Sequence, residues 1–168
     1  MAHDVAMAGG SGAFDLTQFL AGETRAWGIF EDRFGRVRRR FHVALNGQWD
    51  GRAFRLDERF MHGDGMMEWR SWLITPAAGG TFSATSDDCV GAATGVCSGD
   101  TVRMTYRFRL RLAKRTLLVD VDDRVYRISD RQAINRARMS KWGVTIGTVT
   151  LCYERAHPAA VATGSLAA

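Results

Sequence analysis

The sequence predicts an all-β protein, an up-and-down barrel of eight to nine antiparallel strands with one short N-terminal helix. Hydrophobic residues recur with a period of two between the glycines, which is the pattern of strands. The connections are short, and closing such a meander removes its exposed edges. A β-sandwich is the alternative. It would need a longer crossover, for which the Gly-rich residues 90–99 are the candidate.

The predicted elements follow one another closely along the chain. The helix covers residues 14–20, and the strands cover residues 25–34, 37–45, 54–62, 66–74, 81–88, 102–112, 117–126, 133–139 and 144–155. Asn46-Gly47 is a signal for a type I′ hairpin turn, and the glycines at 63, 65, 79 and 80 tolerate positive φ. These turn signals favour consecutive hairpins.

One domain is predicted over residues 13–155, between flexible tails at 1–12 and 156–168. The chain has 168 residues, of which 46% are hydrophobic and 24% charged, which is ordinary for a globular protein. No apolar run is long enough to span a bilayer. The N-terminus shows neither a signal peptide nor a lipobox, so we expect a cytoplasmic location.

The cysteines do not predict a disulfide framework. Their number is odd, at Cys89, Cys97 and Cys152, and their spacing is not that of a metal site. We therefore expect small buried thiols, with a Cys89–Cys97 bridge as the alternative.

The chain carries a formal net charge of +5. Arginines on the outer strand faces could contact phosphates of nucleic acid or anionic lipid; they are Arg36, Arg38, Arg40, Arg103, Arg107, Arg109 and Arg111. Acidic residues balance much of this charge, and no aromatic residues alternate with these arginines. We therefore predict no nucleic-acid partner and a solvated outer face, with phosphate contact as the alternative.

The predicted strand 102–112 shows which side chains face inward. One face carries Val102, Met104, Tyr106, Phe108, Leu110 and Leu112, and the other carries Arg103, Thr105, Arg107, Arg109 and Arg111. One face is therefore core and the other faces solvent.

Three charged residues break this rule in other strands. Arg39, Glu58 and Asp123 each occupy a position between hydrophobic neighbours on an apolar face. A buried charge costs several kcal/mol unless it is paired. These residues are therefore predicted to be interior partners, together with Asp32 or Arg33 and with Asn135.

Three explanations for these interior charges remain open. They form a structural ion-pair network, they hold the polar head of a ligand, or Glu58 or Asp123 acts as an acid or base. The sequence has no phosphate-binding glycine loop, G-x-S-x-G, H-E-x-x-H or Cys-x-x-Cys motif. We therefore expect neither a metal nor a cofactor.

One set of motifs resembles an uncharacterised bacterial family, known as a domain of unknown function. The motifs are the segment AWGIFEDRFG at 26–35, Arg39-x-Phe41, Leu56-Asp57-Glu58-x-Phe60, Asp64-Gly65, Arg70-x-Trp72, Asp88-x-x-Gly91, Tyr106, Asp122-Asp123 and NRARMSKWG at 135–143. The resemblance implies a lipocalin-like (calycin-like) barrel. Many members are small lipoproteins, and some are encoded beside enzymes of fatty-acid modification. This chain lacks their anchor cysteine.

Trp27 occupies the place where lipocalin-type barrels carry a tryptophan that closes one end. The resemblance implies that an arginine from late in the chain stacks on the indole. Arg155 or Arg136 is the expected counterpart. Lipocalins have Gly-x-Trp at this point, whereas this chain has Ala26-Trp27-Gly28, so the kinship is architectural.

The preferred hypothesis is a non-enzymatic carrier or sensor of a small amphipathic molecule such as a fatty-acyl chain. Arg39 would bind its carboxylate. The predicted binding residues are Arg39, Phe41, Glu58, Phe60, Arg70, Trp72, Met104, Tyr106 and Asn135. The alternative is an enzyme on a lipid-like substrate, with Glu58 or Asp123 as acid/base and Arg39 or Arg70 stabilising charge.

Overall fold

The computed structural model describes residues 13–112 and 115–156, and the predicted tails at 1–12 and 156–168 lie outside that part except for Ala156. It contains helix α1 at Leu16–Leu20 and a 3-10 turn at Ala78–Gly80. The strands are β1 Gly22–Asp32, β2 Val37–Trp49, β3 Phe54–His62, β4 Met67–Pro76, β5 Thr81–Thr85, β6 Ala93–Ser98, β7 Thr101–Leu112, β8 Arg115–Arg127, β9 Gln132–Lys141 and β10 Val144–Arg155.

The strands form a closed antiparallel barrel, which confirms the predicted fold class. Each strand pairs with the next along the chain, and β1 pairs with β10 to close the ring. In this last pair Trp27 lies opposite Cys152. The β-sandwich alternative is wrong, because no strand crosses between sheets.

The barrel has ten strands rather than eight or nine, because residues 93–98 form β6. Gly95 permits this strand: a Cβ there would lie 2.0 Å from the Phe82 ring, which packs over the glycine. Because its residues are small, β6 does not show the alternating hydrophobic pattern by which the other strands were predicted. β5 ends at Thr85, before the predicted residue 88. In the loop between β5 and β6, Cys89 forms an isolated backbone β-bridge with Phe108 of β7.

The predicted hairpin turn at Asn46-Gly47 is wrong, because both residues lie within β2. A Cβ on Gly47 would lie 2.2 Å from the carbonyl oxygen of Leu20 and 2.3 Å from the Phe54 ring. This glycine therefore serves a close approach between α1 and the sheet, and the turn follows at residues 50–53.

Helix α1 closes one end of the barrel. Asp15 caps it, since its carboxylate accepts from the backbone N–H groups of Thr17 at 2.9 Å and Gln18 at 3.1 Å. Phe14 and Phe19 on either side of this cap are 2% and 4% exposed. The short apolar segment thus acts as a plug.

The opposite end has no such helix among the described residues. It carries the tips of the β1–β2, β3–β4 and β9–β10 hairpins, because the strands alternate in direction. The barrel therefore has a closed end and a mouth. In the part of the chain that the structure describes, no helix has the length and apolar character needed to cross a bilayer.

Trp27 does not close the barrel, so the expectation taken from lipocalins is wrong. Its side chain is 44% exposed on the outer wall, since Ala26 takes the inward position. The Arg155 guanidinium lies 5.9 Å from the Phe19 ring instead, and Arg136 is exposed. All three cysteines are free thiols, so the Cys89–Cys97 bridge is also wrong.

Candidate ligand-binding site

The barrel is hollow. A cavity of about 830 Å³ runs between α1 and the mouth, and small barrels of this type can be either filled or open. Its volume lies within the range of small-molecule sites. Much of its lining is aliphatic, including Leu20, Leu56, Val102, Val125, Met139, Val149 and Leu151.

One side of the cavity is aromatic. Phe41 and Phe60 meet with ring centroids 5.9 Å apart, and Trp72 meets Tyr106 edge to face at 5.3 Å. Met104 also lines this wall. The alternation in β2, β3, β4 and β7 thus places these predicted residues inside, against the space that a ligand would fill.

A loosely paired arginine crosses this aromatic wall. Arg70 lies opposite Glu58 in the β3–β4 register, and its nitrogens approach Glu58 Oε2 and Asp88 Oδ2 at 3.7 Å each. Both distances exceed a hydrogen bond, and the buried Arg70 Nε has no hydrogen-bond partner. The guanidinium lies 4.9 Å from the Phe60 ring and 4.7 Å from Phe108. Arg70 therefore keeps donor capacity for a ligand.

Glu58 is buried at 8% exposure and faces the cavity. Burial raises the pKa of this carboxyl group, and the guanidinium of Arg70 and a hydrogen bond from the Trp72 indole offset part of that rise. The nearby carboxylate of Asp123 adds to the rise. Protonated Glu58 would be a hydrogen-bond donor to the cavity.

Asp123 lies in the cavity without an ion-pair partner among the described residues. Tyr106 donates to its Oδ2 at 3.1 Å, and Asn135 donates to its Oδ1 and to the Arg124 carbonyl at 3.1 Å. Burial raises the pKa of Asp123 from 3.8 to about 6, although both hydrogen bonds act in the opposite direction. Asp123 therefore titrates near neutral pH.

The structure corrects the pairing predicted for Arg39. Its side chain lines the mouth but is exposed, and Glu58 pairs with Arg70 instead. Position 39 lies beyond Phe41, where β2 reaches the open end, so the alternation placed it on the correct face at the wrong depth. Asp32 is not an interior partner either, because it binds Arg38 at 2.6 Å beside the β1–β2 turn. Arg33 is exposed over the Phe34 ring.

Comparisons with known proteins place the chain in a family. No curated protein matches it. A family model with the description "Protein of unknown function (DUF3833)" matches residues 4–155, nearly the whole chain. The chain belongs to the DUF3833 family. This confirms that its motifs are those of an uncharacterised family.

Two solved structures share the fold of this DUF3833 barrel. The S-type phycobiliprotein lyase CPES from Guillardia theta has a TM-score of 0.61 at 6% identity, over 84% of this chain and 91% of that one. A DUF3598-family protein of unknown function from Nostoc punctiforme has a TM-score of 0.58 at 14% identity, over 86% of this chain. This chain spans 50% of the length of the latter. At these identities the likeness concerns the fold.

Sequence reasoning missed several side chains that line the DUF3833 cavity, among them Asp88, Phe108, His62 and Tyr153. Phe108 and Tyr153 looked like ordinary core positions. Asp88 was expected at the end of a strand, but the loop after β5 turns it toward Arg70. His62 packs 5.8 Å from the Phe41 ring, and neither of its ring nitrogens has a hydrogen-bond partner. Asp88 belongs to the motif Asp88-x-x-Gly91, but that motif did not show which way its side chain faces, and no motif includes His62.

Several arginines on the outer face of β7 in the DUF3833 barrel form ion pairs or hydrogen bonds. Arg103 bonds Asp122 at 3.0 Å, and Arg111 bonds Asp88 at 2.8 Å. Arg109 donates to the backbone carbonyls of residues 87 and 89 at 3.1 Å each. Arg109 therefore keeps its charge, and Arg103 shares Asp122 with Arg124 and Arg138.

Proposed function

We propose that this DUF3833 barrel binds a small amphipathic molecule, a fatty-acyl chain or a related lipid product, inside its cavity. A binding role is compatible with the barrel fold that it shares with the Guillardia theta protein. The observation that carries the proposal is the hollow interior of about 830 Å³, which combines an aromatic wall with charged and polar side chains. Such a lining can enclose an apolar tail and orient a polar head.

The charged residues of the cavity determine how the bound molecule is oriented. Arg39 at the mouth has no ion-pair partner among the described residues, whereas Arg70 inside is flanked by Glu58 and Asp88. A carboxylate head is therefore expected to pair with Arg39 at the mouth rather than with Arg70, whose positive charge is shared by two carboxylates. The tail would lie along Phe41 and the rest of the aromatic wall.

Native mass spectrometry of the protein from its own host tests for a copurified lipid. Titration with fatty acids, followed by tryptophan fluorescence, gives the affinity. Arg39→Gln should weaken binding of a fatty acid but leave the fatty alcohol of equal length unchanged. Arg40→Gln is the matched control, because Arg40 is the exposed neighbour on the outward face of β2. Absence of bound lipid together with absence of quenching contradicts the proposal.

Asp123 supports a second candidate, an enzyme acting on a lipid-like substrate. A carboxylate with a pKa of about 6 that forms no ion pair among the described residues and faces an open cavity suits general acid/base catalysis. The similar barrel from Guillardia theta belongs to a lyase, so the fold is compatible with catalysis. Incubation of the copurified lipid with wild type and Asp123→Asn, followed by mass analysis, separates the candidates. Conversion that requires Asp123 supports the enzyme.

A further inference from the structure

Three consecutive hairpins form one side of the mouth, and we call their exposed residues the rim. The barrel order places β9–β10 beside β1–β2, and β1–β2 beside β3–β4. The rim consists of the exposed residues 33–40, 63–69 and 142–144, together with the half-buried Lys141. Its segments are therefore neighbours in space although they are distant in sequence.

The most exposed large apolar side chains of the described residues all lie on the rim. Trp142 is 89% exposed, Phe34 69%, Trp69 68% and Met66 60%. Val144, also on the rim, follows at 56%. Such concentration contrasts with the closed end, where α1 buries its own aromatic residues. An exposed apolar cluster of this kind marks an interaction surface.

Two hairpin tips present the same combination of groups. The Arg33 guanidinium lies 4.7 Å from the Phe34 ring, and the Lys141 ammonium lies 4.7 Å from the Trp142 ring. Arg36, Arg39 and Arg40 add positive charge on β1–β2 and form no ion pair among the described residues. Two acidic residues also lie on the rim: Asp64, whose carboxylate accepts from the backbone N–H of Met66 at 3.0 Å, and Glu68, which lies near His62.

The conformation of Trp142 gives independent support. Its φ is 51°, and it is the one residue other than glycine with positive φ in the described part of the chain. Trp142 and Gly143, with φ of 77°, make the two-residue turn between β9 and β10, where asparagine would suit the first position better. A bulky aromatic residue that is both strained and almost fully exposed indicates a role outside folding.

We propose that the rim docks the barrel onto the surface of an anionic membrane. Tryptophan and phenylalanine favour the boundary between headgroups and acyl chains, and the arginines and Lys141 would meet lipid phosphates. This occupant fits the charge, because an apolar cluster surrounded by unpaired cations is complementary to an anionic surface. Docking would direct the mouth of the cavity toward lipid. The inference concerns the outer surface and is separate from the ligand proposed for the interior.

Co-sedimentation with vesicles tests the proposal. Wild type should bind phosphatidylcholine vesicles that contain phosphatidylglycerol, less so as salt rises, and pure phosphatidylcholine more weakly. Trp142→Asn and Phe34→Ser should each weaken binding about tenfold, since each removes one interfacial aromatic residue. The double variant Arg36→Gln/Arg40→Gln should reduce binding to the anionic vesicles and leave binding to pure phosphatidylcholine vesicles unchanged.

Two controls keep a folding defect from imitating this result. Trp142→Asn should unfold at a higher urea concentration than wild type, because it relieves the strained turn while it weakens vesicle binding. Trp49→Ser removes a half-exposed tryptophan from the closed end and should leave vesicle binding unchanged. Three results overturn the proposal. Wild type remains in the supernatant with anionic vesicles, the two aromatic variants bind these vesicles as tightly as wild type does, or the protein dimerises through the rim without binding vesicles.

Discussion

Replacing Asp123 with asparagine removes a carboxylate from the cavity and keeps its shape. The amide oxygen can accept from Asn135, as the carboxylate does. The new amide group can donate to the Tyr106 hydroxyl, which now donates to Asp123 at 3.1 Å and would become the acceptor. Both hydrogen bonds therefore survive, and the charge is the main change.

The magnitude follows from the pKa of Asp123. It rises from 3.8 to about 6 on folding, mainly through burial. Since one pKa unit corresponds to about 1.4 kcal/mol, the ionised carboxylate destabilises the fold by about 3 kcal/mol relative to its protonated form. At neutral pH we expect Asp123→Asn to be more stable than wild type by up to that amount.

The pH dependence has a definite sign. Between about pH 4 and about pH 6 the folded state holds the Asp123 proton and the unfolded state has released it. Stability of wild type therefore falls as pH rises through this window and is constant, for this group, above it. In Asp123→Asn this decrease should disappear, and the part that remains belongs to Glu58, whose pKa is also raised.

Urea unfolding followed by tryptophan fluorescence at about pH 4.5 and about pH 7.5 measures both effects. Asp122→Asn is the matched control. Asp122 is the next residue, faces outward and bonds Arg103 and Arg124, which hold its pKa below the usual range. Its loss should destabilise slightly at neutral pH, by less than about 1 kcal/mol. The carboxylate is not desolvated if Asp123→Asn is less stable than wild type at neutral pH, or if its stability falls between about pH 4.5 and about pH 7.5 by as much as that of wild type.

Three further changes test the fold and the interior charges. Gly47→Ala should destabilise by more than about 2 kcal/mol in urea, because its Cβ would lie 2.2 Å from a backbone carbonyl oxygen of α1, whereas Gly63→Ala, 3.7 Å from the nearest atom, should be nearly neutral. Asp15→Ala should lose about 1 kcal/mol in a thermal melt by uncapping α1. Arg70→Met should destabilise more at about pH 8 than at about pH 5, since Glu58 loses its partner cation, and Glu58→Gln should suppress that difference. An equal loss of stability at both pH values would show that Arg70 does not stabilise the ionised form of Glu58.

The period-two pattern predicted the barrel because each strand has one face inside and one in solvent. It failed where other contacts decided the structure. β6 was missed since Gly95 leaves space for the Phe82 ring, and a glycine has no side chain to show a periodicity. Gly47 resembled a turn residue, but the approach of α1 requires its missing Cβ. Both glycines are explained by a distant segment, which local sequence cannot reveal.

Within the site, alternation predicted which face each charged residue occupies but not its depth. Glu58 and Asp123 lie in the middle of their strands and face the cavity, whereas Arg39 faces the same way and reaches the mouth. Depth depends on where neighbouring strands end and on the register between them. The contribution of Asp88 depends on a loop, for which no periodicity exists.

The interior polar groups form a loose and incomplete ion-pair network, in which Arg70 lies between Glu58 and Asp88, and Asp88 also binds Arg111. Such a network gains stability when its charges are paired and its hydrogen bonds complete. Here Arg70 lies 3.7 Å from each of its carboxylates, its Nε has no hydrogen-bond partner, and Asp123 forms no ion pair in the described part of the chain. The surrounding space is a cavity rather than packed side chains. A charge that costs stability at neutral pH is expected to persist where it contacts a ligand or substrate. Asp123→Asn should therefore gain stability and lose binding or turnover, whereas a structural residue would lose stability alone.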